Sequence, residues 1–189
     1  MKNKRLMGII GLIAAAVIGT AIYSATAGKD NKAASSNEKA KVGVLQLVSH
    51  PSLDLIYKGI QDGLAEEGYD KDKVDIDFLN AEGDQNKVAT MSKQLVDKDN
   101  QVLIGIATPS AQGLASATKD KPIVMGAVTD PVGANLVKDL KKPGGNITGV
   151  SDHNPTEQQL KLIKELTPNV KTIGILYSTS EDNSKSQVE

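Results

Sequence analysis

Cysteine and tryptophan are absent from this sequence of 189 residues, phenylalanine occurs once, and histidine occurs twice. Without cysteine the chain forms no disulfide, holds no zinc or iron–sulfur cluster through thiolates, and has no thiol nucleophile. Two histidines are also too few for a His-rich metal site. We therefore predict a protein without a metal site, without a cofactor and without catalytic residues.

Arginine is scarce as well, because Arg5 is the only one in the chain. The 22 basic residues nearly balance the 23 acidic ones. Three of the basic residues and none of the acidic ones lie in residues 1–28, so the remainder has a net charge of −4. A mildly acidic domain is a poor nucleic-acid binder. A domain without arginine must also bind any anion through other donors.

The N-terminal segment, residues 1–28, is predicted to be a signal peptide or a membrane anchor. Three basic residues precede an uncharged stretch from Leu6 to Tyr23, which as a helix would span about 27 Å, close to the roughly 30 Å hydrocarbon core of a bilayer. Ala25-Thr26-Ala27 fits the pattern that signal peptidase cleaves, so cleavage and retention both remain open. Either outcome predicts that the rest of the protein is exported to the extracellular face of the cytoplasmic membrane.

Residues 29–41 are polar and small, which predicts a disordered linker. After them, short apolar runs alternate with amphipathic stretches, and this order predicts an α/β fold with a doubly wound parallel sheet. The predicted strands are residues 42–48, 74–79, 101–107, 122–127, 147–150 and 171–177, and the predicted helices are residues 53–67, 84–97, 109–118 and 155–166. We assign residues 42–151 to a first lobe, 152–169 to a hinge with a crossover helix, and 170–189 to the truncated start of a second lobe.

Ligands of open parallel sheets bind beyond the carboxyl ends of the strands, so the residues that follow each apolar run are the candidate site. Those residues are Ser49 and His50, Thr108 and Ser110, Thr129 and Asp130, and Asp152.

The most informative of these segments is Thr108-Pro109-Ser110. We expect Thr108 as the N-cap and Pro109 as the first helical residue, which would place two hydroxyls beside free backbone N–H groups and predicts a carboxylate site. The alternative is plain helix capping. Asp130 is either a partner for a ligand ammonium or the opening of a turn before Pro131.

Five segments, in this order and spacing, resemble the ABC-transporter substrate-binding proteins of the tryptophan/tyrosine type. They are VGVLQLVSHPSLD from Val42, IGIATPSAQ from Ile104, VMGAVTDPVGA from Val124, GGNITGVSD from Gly144 and IGILYSTSEDNS from Ile173. The resemblance covers Val42 to Glu189 and implies a periplasmic-binding-protein fold of type I, with an amino acid, typically aromatic, held between two lobes. It also implies a monomer that delivers its ligand to an ABC permease driven by an ATPase.

The resemblance further implies a role for each candidate residue. Thr108 and Ser110 would face the ligand carboxylate, and Ser49 and His50 would line the cleft near the hinge. The remaining contacts implied by the resemblance come from Thr129 and Asp130 on the strand-four loop, from Asp152 at the first crossover, and from Glu181 and Asn183 on the first ligand loop of the second lobe.

Two other functions remain open at this stage. The first is a membrane-anchored extracellular sensor that signals ligand occupancy to a partner protein. The second is a flavodoxin-like enzyme that uses His50 and Asp130 as acid and base. We set aside a cytoplasmic sugar-responsive repressor, because the N terminus is apolar and is not a helix-turn-helix.

Overall fold

A computed structural model describes residues 38–188 of the chain. The predicted signal peptide or anchor and most of the predicted linker therefore lie outside the described residues. Within residues 38–188, no helix is both long and apolar enough to cross a membrane.

Five parallel strands form one sheet in the order β2-β1-β3-β4-β5. The strands are β1 Ala40–Gln46, β2 Val74–Asn80, β3 Val102–Ile106, β4 Ile123–Val128 and β5 Ile147–Ser151. The chain adds β2 to one side of β1 and β3 to the other, so the direction of winding reverses at β1. This order confirms the predicted doubly wound lobe, and it places the usual ligand crevice at the carboxyl ends of β1 and β3.

Helices cover both faces of the sheet. They are α1 Pro51–Glu66, α2 Gln85–Asp97, α3 Thr108–Ala117, α4 Thr156–Leu166 and α5 Asp182–Val188. On one face, α1 packs Leu53, Ile56 and Ile60 against the apolar strand residues. On the other face, α2 and α3 pack against the sheet around the fully buried Leu95 and Leu114. Burial on both faces explains why these strands are almost continuously apolar.

Local sequence signals set most element ends. The Asp84 carboxylate accepts from the N–H groups of Asn86 at 2.7 Å and Lys87 at 3.3 Å, which confirms the predicted cap of α2. β1 spans Ala40–Gln46 and not residues 42–48, because its pairing begins between Ala40 and Val74 and ends at Gln46. Residues 40 and 41, predicted as the end of the linker, therefore belong to the strand. Leu47 is only 8% exposed and packs in the hydrophobic core, so its apolar side chain reflects burial and not strand pairing.

The predicted strand at residues 171–177 is wrong. These residues pair with no strand in the described part of the chain, and Leu176 is fully exposed. A strand needs a neighbour for its backbone N–H and C=O groups, and an apolar run alone cannot supply one. α4, which precedes this segment, also buries none of its residues.

Gly105 allows α3 to lie unusually close to β3. A Cβ atom at this position would lie 2.7 Å from both the Cα and the N atom of Ala111. Backbone atoms cannot move aside as a flexible side chain would, so only glycine permits this approach. The close approach fixes the first turn of α3 on the carboxyl end of the sheet.

Candidate ligand-binding site

The segments that follow β1, β3, β4 and β5 meet at one edge of the sheet, which we call the site edge. Gln46 pairs with Ile106, and Val128 pairs with Ser151, so these strands end at the same level. The structure thereby brings to this edge the predicted residues Ser49, His50, Thr108, Ser110, Thr129, Asp130 and Asp152.

The turn from β3 into α3 differs from the predicted cap by one residue. Ala107 is the N-cap, with φ 74° and ψ 159°, and no side chain caps the helix. The N–H of Ala107 donates to the Gly126 carbonyl at 3.0 Å, so the chain stays in line with the sheet until Ala107 and must turn there. Few non-glycine residues adopt this conformation. Thr108 is thus the first helical residue and not the cap.

The first turn of α3 presents buried donors at the site edge. Thr108 is 2% exposed, and Ser110 is fully buried. The hydroxyl oxygen of Ser110 has no hydrogen-bond partner among residues 38–188. Pro109 has no N–H, and the N–H of Ala111 donates to the Ala107 carbonyl at 3.2 Å. The N–H groups of Thr108 and Ser110 therefore remain at the positive end of the helix, where they and the hydroxyl can donate to a carboxylate.

Asp130 closes the turn that follows β4. Its Oδ1 accepts from the Gly133 N–H at 2.9 Å, so the turn-opening role is present. Its Oδ2 lies 3.4 Å from the hydroxyl of Ser186 on α5. The neighbouring Thr129 is 8% exposed, and its carbonyl accepts from the Ser151 hydroxyl at 3.2 Å. The carboxylate of Asp130 could still receive a ligand ammonium, which stays a prediction.

Ser49 and His50 are exposed and have local partners. The Nδ1 of His50 accepts from the Ser52 N–H at 3.3 Å and caps α1. The Ser49 hydroxyl donates to Asp54 Oδ2 at 3.1 Å. These contacts give both side chains a structural role at the site edge, and His50 shares no hydrogen bond with Asp130 in the described residues. Between residues 38 and 188, no group of three or more His, Asp or Glu residues is placed to hold a metal ion.

Gln46 is a buried polar residue that the sequence analysis did not select. It is the last residue of β1 and is fully buried. Its Nε2 donates to Asp54 Oδ1 at 2.7 Å and to the Val48 carbonyl at 2.9 Å, while its Oε1 has no partner in residues 38–188. The sequence signal that could have selected Gln46 is an amide directly after the apolar run of residues 42–45. These hydrogen bonds from Gln46 hold in place the loop that carries Ser49 and His50.

The end of the chain reaches the same edge through α5. Gln112 on α3 donates through Nε2 to Asp182 Oδ2 at 2.9 Å. The predicted residue Glu181 is half-buried just before α5, and the Oδ1 of Asn183 is buried without a partner in the described chain. Asp152 is exposed, and its N–H donates to the Val128 carbonyl at 3.3 Å.

Aromatic side chains are few in residues 38–188, which contain three tyrosines and one phenylalanine. Tyr57 stacks on Phe78 with ring centroids 4.3 Å apart, between α1 and the sheet, and burial raises the pKa of Tyr57 above its usual value. Tyr69 packs in the same region. Tyr177, which is 47% exposed, lies in the segment before α5 and is therefore the most accessible aromatic residue of the described chain.

Comparison with known proteins identifies the family to which these features belong. The family model of the ABC transporter substrate binding proteins matches residues 41–189. A tyrosine-binding protein of Clostridioides difficile (strain R20291) is 44% identical over 197 residues, which cover 100% of this chain and 56% of the relative.

Two solved structures match the lobe closely. An ABC domain from Streptococcus pneumoniae in complex with L-Trp is 77% identical, with a TM-score of 0.77 over 80% of this chain and 51% of that chain. A conserved domain protein from Vibrio cholerae is 49% identical, with a TM-score of 0.78 over the same shares of the two chains. The chain thus spans about half the length of the relatives that it matches. These similarities confirm the expected family and its type I periplasmic-binding-protein fold.

Proposed function

We propose, since this chain belongs to the family of ABC transporter substrate-binding proteins, that it binds the carboxylate and ammonium groups of a free amino acid at the site edge. The bound amino acid lies in a cleft that this lobe forms with a second one. Amino-acid ligands are named for two of the matched relatives, one with L-Trp and one with tyrosine. We expect this chain to share an aromatic preference with them.

The observation that carries this proposal is the unpartnered hydroxyl of Ser110 in the first turn of α3. Burying a hydroxyl without a partner costs free energy, on the order of 1–3 kcal/mol. A ligand carboxylate would accept from this hydroxyl and from the nearby N–H groups of Thr108 and Ser110. Donors of this kind replace the arginine that the described chain does not contain. Asp130 would accept from the ligand ammonium, as a carboxylate at this edge can.

The wider role follows from the family and from the N terminus. We propose that the protein is exported, remains on the extracellular face of the cytoplasmic membrane as a monomer, and hands its ligand to an ABC permease and its ATPase. It performs no catalysis in this role. The basic and apolar segment before residue 29 supports export.

Binding and delivery are tested separately. Titration calorimetry of the complete gene product with the twenty common amino acids tests binding, and we expect heat only with Trp, Tyr or Phe. Uptake of the labelled ligand by a deletion strain tests delivery, and we expect uptake to be lost. Binding together with normal uptake in the deletion strain would favour the anchored sensor over the importer component.

A further inference from the structure

The chain beyond β5 touches the first lobe at few points. α4 buries none of its residues, and Leu176 in the following stretch is fully exposed. Within the described part of the chain, two side-chain hydrogen bonds connect α5 to the rest of the fold, from Gln112 to Asp182 and from Ser186 to Asp130. The position of α5 therefore depends on a small number of contacts.

Gln112 is arranged to receive a carboxylate. Its Nε2 donates to the Ala134 carbonyl at 3.2 Å and to Asp182 Oδ2 at 2.9 Å. Both partners can only accept, so the amide nitrogen must point toward them. The bond to Ala134 orients the amide within the first lobe, independently of α5. Gln112 is thus preorganised for Asp182.

The Gln112–Asp182 bond is assisted by charge. Asp182 also accepts from Lys185 Nζ at 3.2 Å. The hydrogen bond from Gln112 lowers the pKa of Asp182 below its usual value, and Lys185 lowers it further, so the carboxylate is ionised at neutral pH. Hydrogen bonds to an ionised acceptor are stronger than neutral ones. The acceptor of the Ser186 link is an aspartate as well, so the shorter distance, 2.9 Å against 3.4 Å, makes the Gln112–Asp182 bond the stronger of the two links.

Gln112 does not act on a ligand directly through its nitrogen, because both N–H groups of Nε2 already have acceptors. Its effect passes through α5. That helix brings Ser186 to Asp130 and carries Asn183, whose Oδ1 is buried without a partner in the described residues. The Gln112–Asp182 bond thus helps to hold α5, which carries the predicted ligand residue Asn183, against the turn after β4, which carries the predicted ligand residue Asp130.

We propose that Gln112 is a positioning residue, whose bond to Asp182 holds α5 against the first lobe and stabilises the arrangement that binds the amino acid. The inference rests on the proposed function, because a ligand that bridges two sides selects the arrangement in which they approach. A contact that favours that arrangement increases its population in the ligand-free protein and so raises the apparent affinity for the ligand.

A double-mutant cycle in the complete gene product tests this role. We expect Gln112→Leu and Asp182→Ala each to weaken affinity for L-Trp or L-Tyr about three- to tenfold, the range for one lost hydrogen bond. The double variant should be no weaker than the weaker single variant, because both changes remove the same bond. Asp182→Asn keeps an acceptor without the charge and should lose less affinity than Asp182→Ala. Gln94→Leu on α2, where the glutamine is exposed, controls for the lost amide.

Unchanged affinity in Gln112→Leu, or fully additive losses in the double variant, would overturn the positioning role. Hydrogen exchange of the amides of residues 182–188 in the 189-residue chain supplies a readout without ligand. We expect faster exchange in Gln112→Leu than in the wild type, and equal exchange would also overturn the role. A wild-type protein that binds no amino acid contradicts the proposed function instead, and the exchange measurement then decides the role of Gln112 alone.

Discussion

At the scale of single residues, the unpartnered hydroxyl of Ser110 allows an effect on ligand binding to be separated from an effect on stability. Ser110 and Ser92 are both fully buried, and neither hydroxyl has a partner within residues 38–188. Ser110 lies at the site edge, whereas Ser92 lies on α2 against Gly113. The two serines therefore form a matched pair. Replacing either one by alanine removes an unsatisfied hydroxyl, but only the change at Ser110 also removes a proposed ligand donor.

We predict that Ser110→Ala leaves the free energy of unfolding unchanged or raises it by about 1 kcal/mol, because an unpaired buried hydroxyl is removed. The same change should weaken amino-acid affinity about tenfold, the worth of one hydrogen bond to a charged group. Ser92→Ala should change stability in the same direction without a change in affinity. Chemical denaturation and calorimetry measure the two quantities. Equal affinity in both variants would remove Ser110 from the site.

A substitution of Asp130 can test its interaction with the ligand ammonium separately from its role in the turn. Asp130→Asn keeps the Oδ1 acceptor for the Gly133 N–H, so the melting temperature should change by no more than about 2 °C. The lost negative charge should weaken affinity for an amino acid at least about tenfold.

Asp139 supplies the control for this charge. It caps its own turn by accepting from the N–H groups of Lys141 at 2.7 Å and Lys142 at 2.9 Å. Asp139→Asn therefore makes the same chemical change in a turn outside the site edge. If calorimetry gives both variants wild-type affinity, Asp130 does not hold the ligand ammonium.

The sequence predicts which residues reach the site edge better than it predicts their local geometry. Thr108 and Ser110 follow an apolar run and precede a helix, so their position is readable from the pattern. The shift of the cap to Ala107 depends on the hydrogen bond from its N–H to Gly126, a residue of another strand, which no local signal contains. The same limit hides the pairing of Gln112 with Asp182.

At the scale of elements, Gly105 sets the position of α3. We predict that Gly105→Ala destabilises the fold by about 1–3 kcal/mol, because its Cβ would meet the backbone of Ala111 at 2.7 Å. The first turn of α3 must then move away from β3. Because this displaces several proposed ligand donors at once, amino-acid affinity should fall more than tenfold.

Gly59→Ala is the contrasting change in α1. A Cβ there meets nothing within 4 Å, so the substitution should stabilise the helix by up to about 1 kcal/mol and leave affinity unchanged. Thermal unfolding and calorimetry of both variants provide the comparison. Wild-type affinity in Gly105→Ala would show that the placement of α3 on β3 does not govern binding.

Elements were predictable from sequence where local pattern and tertiary contact agree. β3 and β4 combine apolar runs with neighbours on both sides, and α2 combines a cap with an apolar stripe. Residues 171–177 have the apolar run without a neighbouring strand, so the prediction failed there. Pairing is a property of two segments, so an apolar run in one segment does not by itself predict a strand.

At the scale of the whole molecule, we expect this lobe to supply only part of the proposed cleft. The chain spans 51% of the matched ABC domain with L-Trp, and the apolar side chains of Leu166 and Leu176 are largely exposed. We predict that affinity for an amino acid requires contacts from both sides of the cleft.

The most direct test of amino-acid binding is a thermal-shift panel of all common amino acids against the complete gene product, with the 189-residue chain measured beside it. Ligand at about a thousand times its dissociation constant should stabilise the native state by roughly 4 kcal/mol. We predict a shift with Trp, Tyr or Phe in the complete protein and none in the 189-residue chain. The absence of a shift with every amino acid in the complete protein would contradict the proposed function.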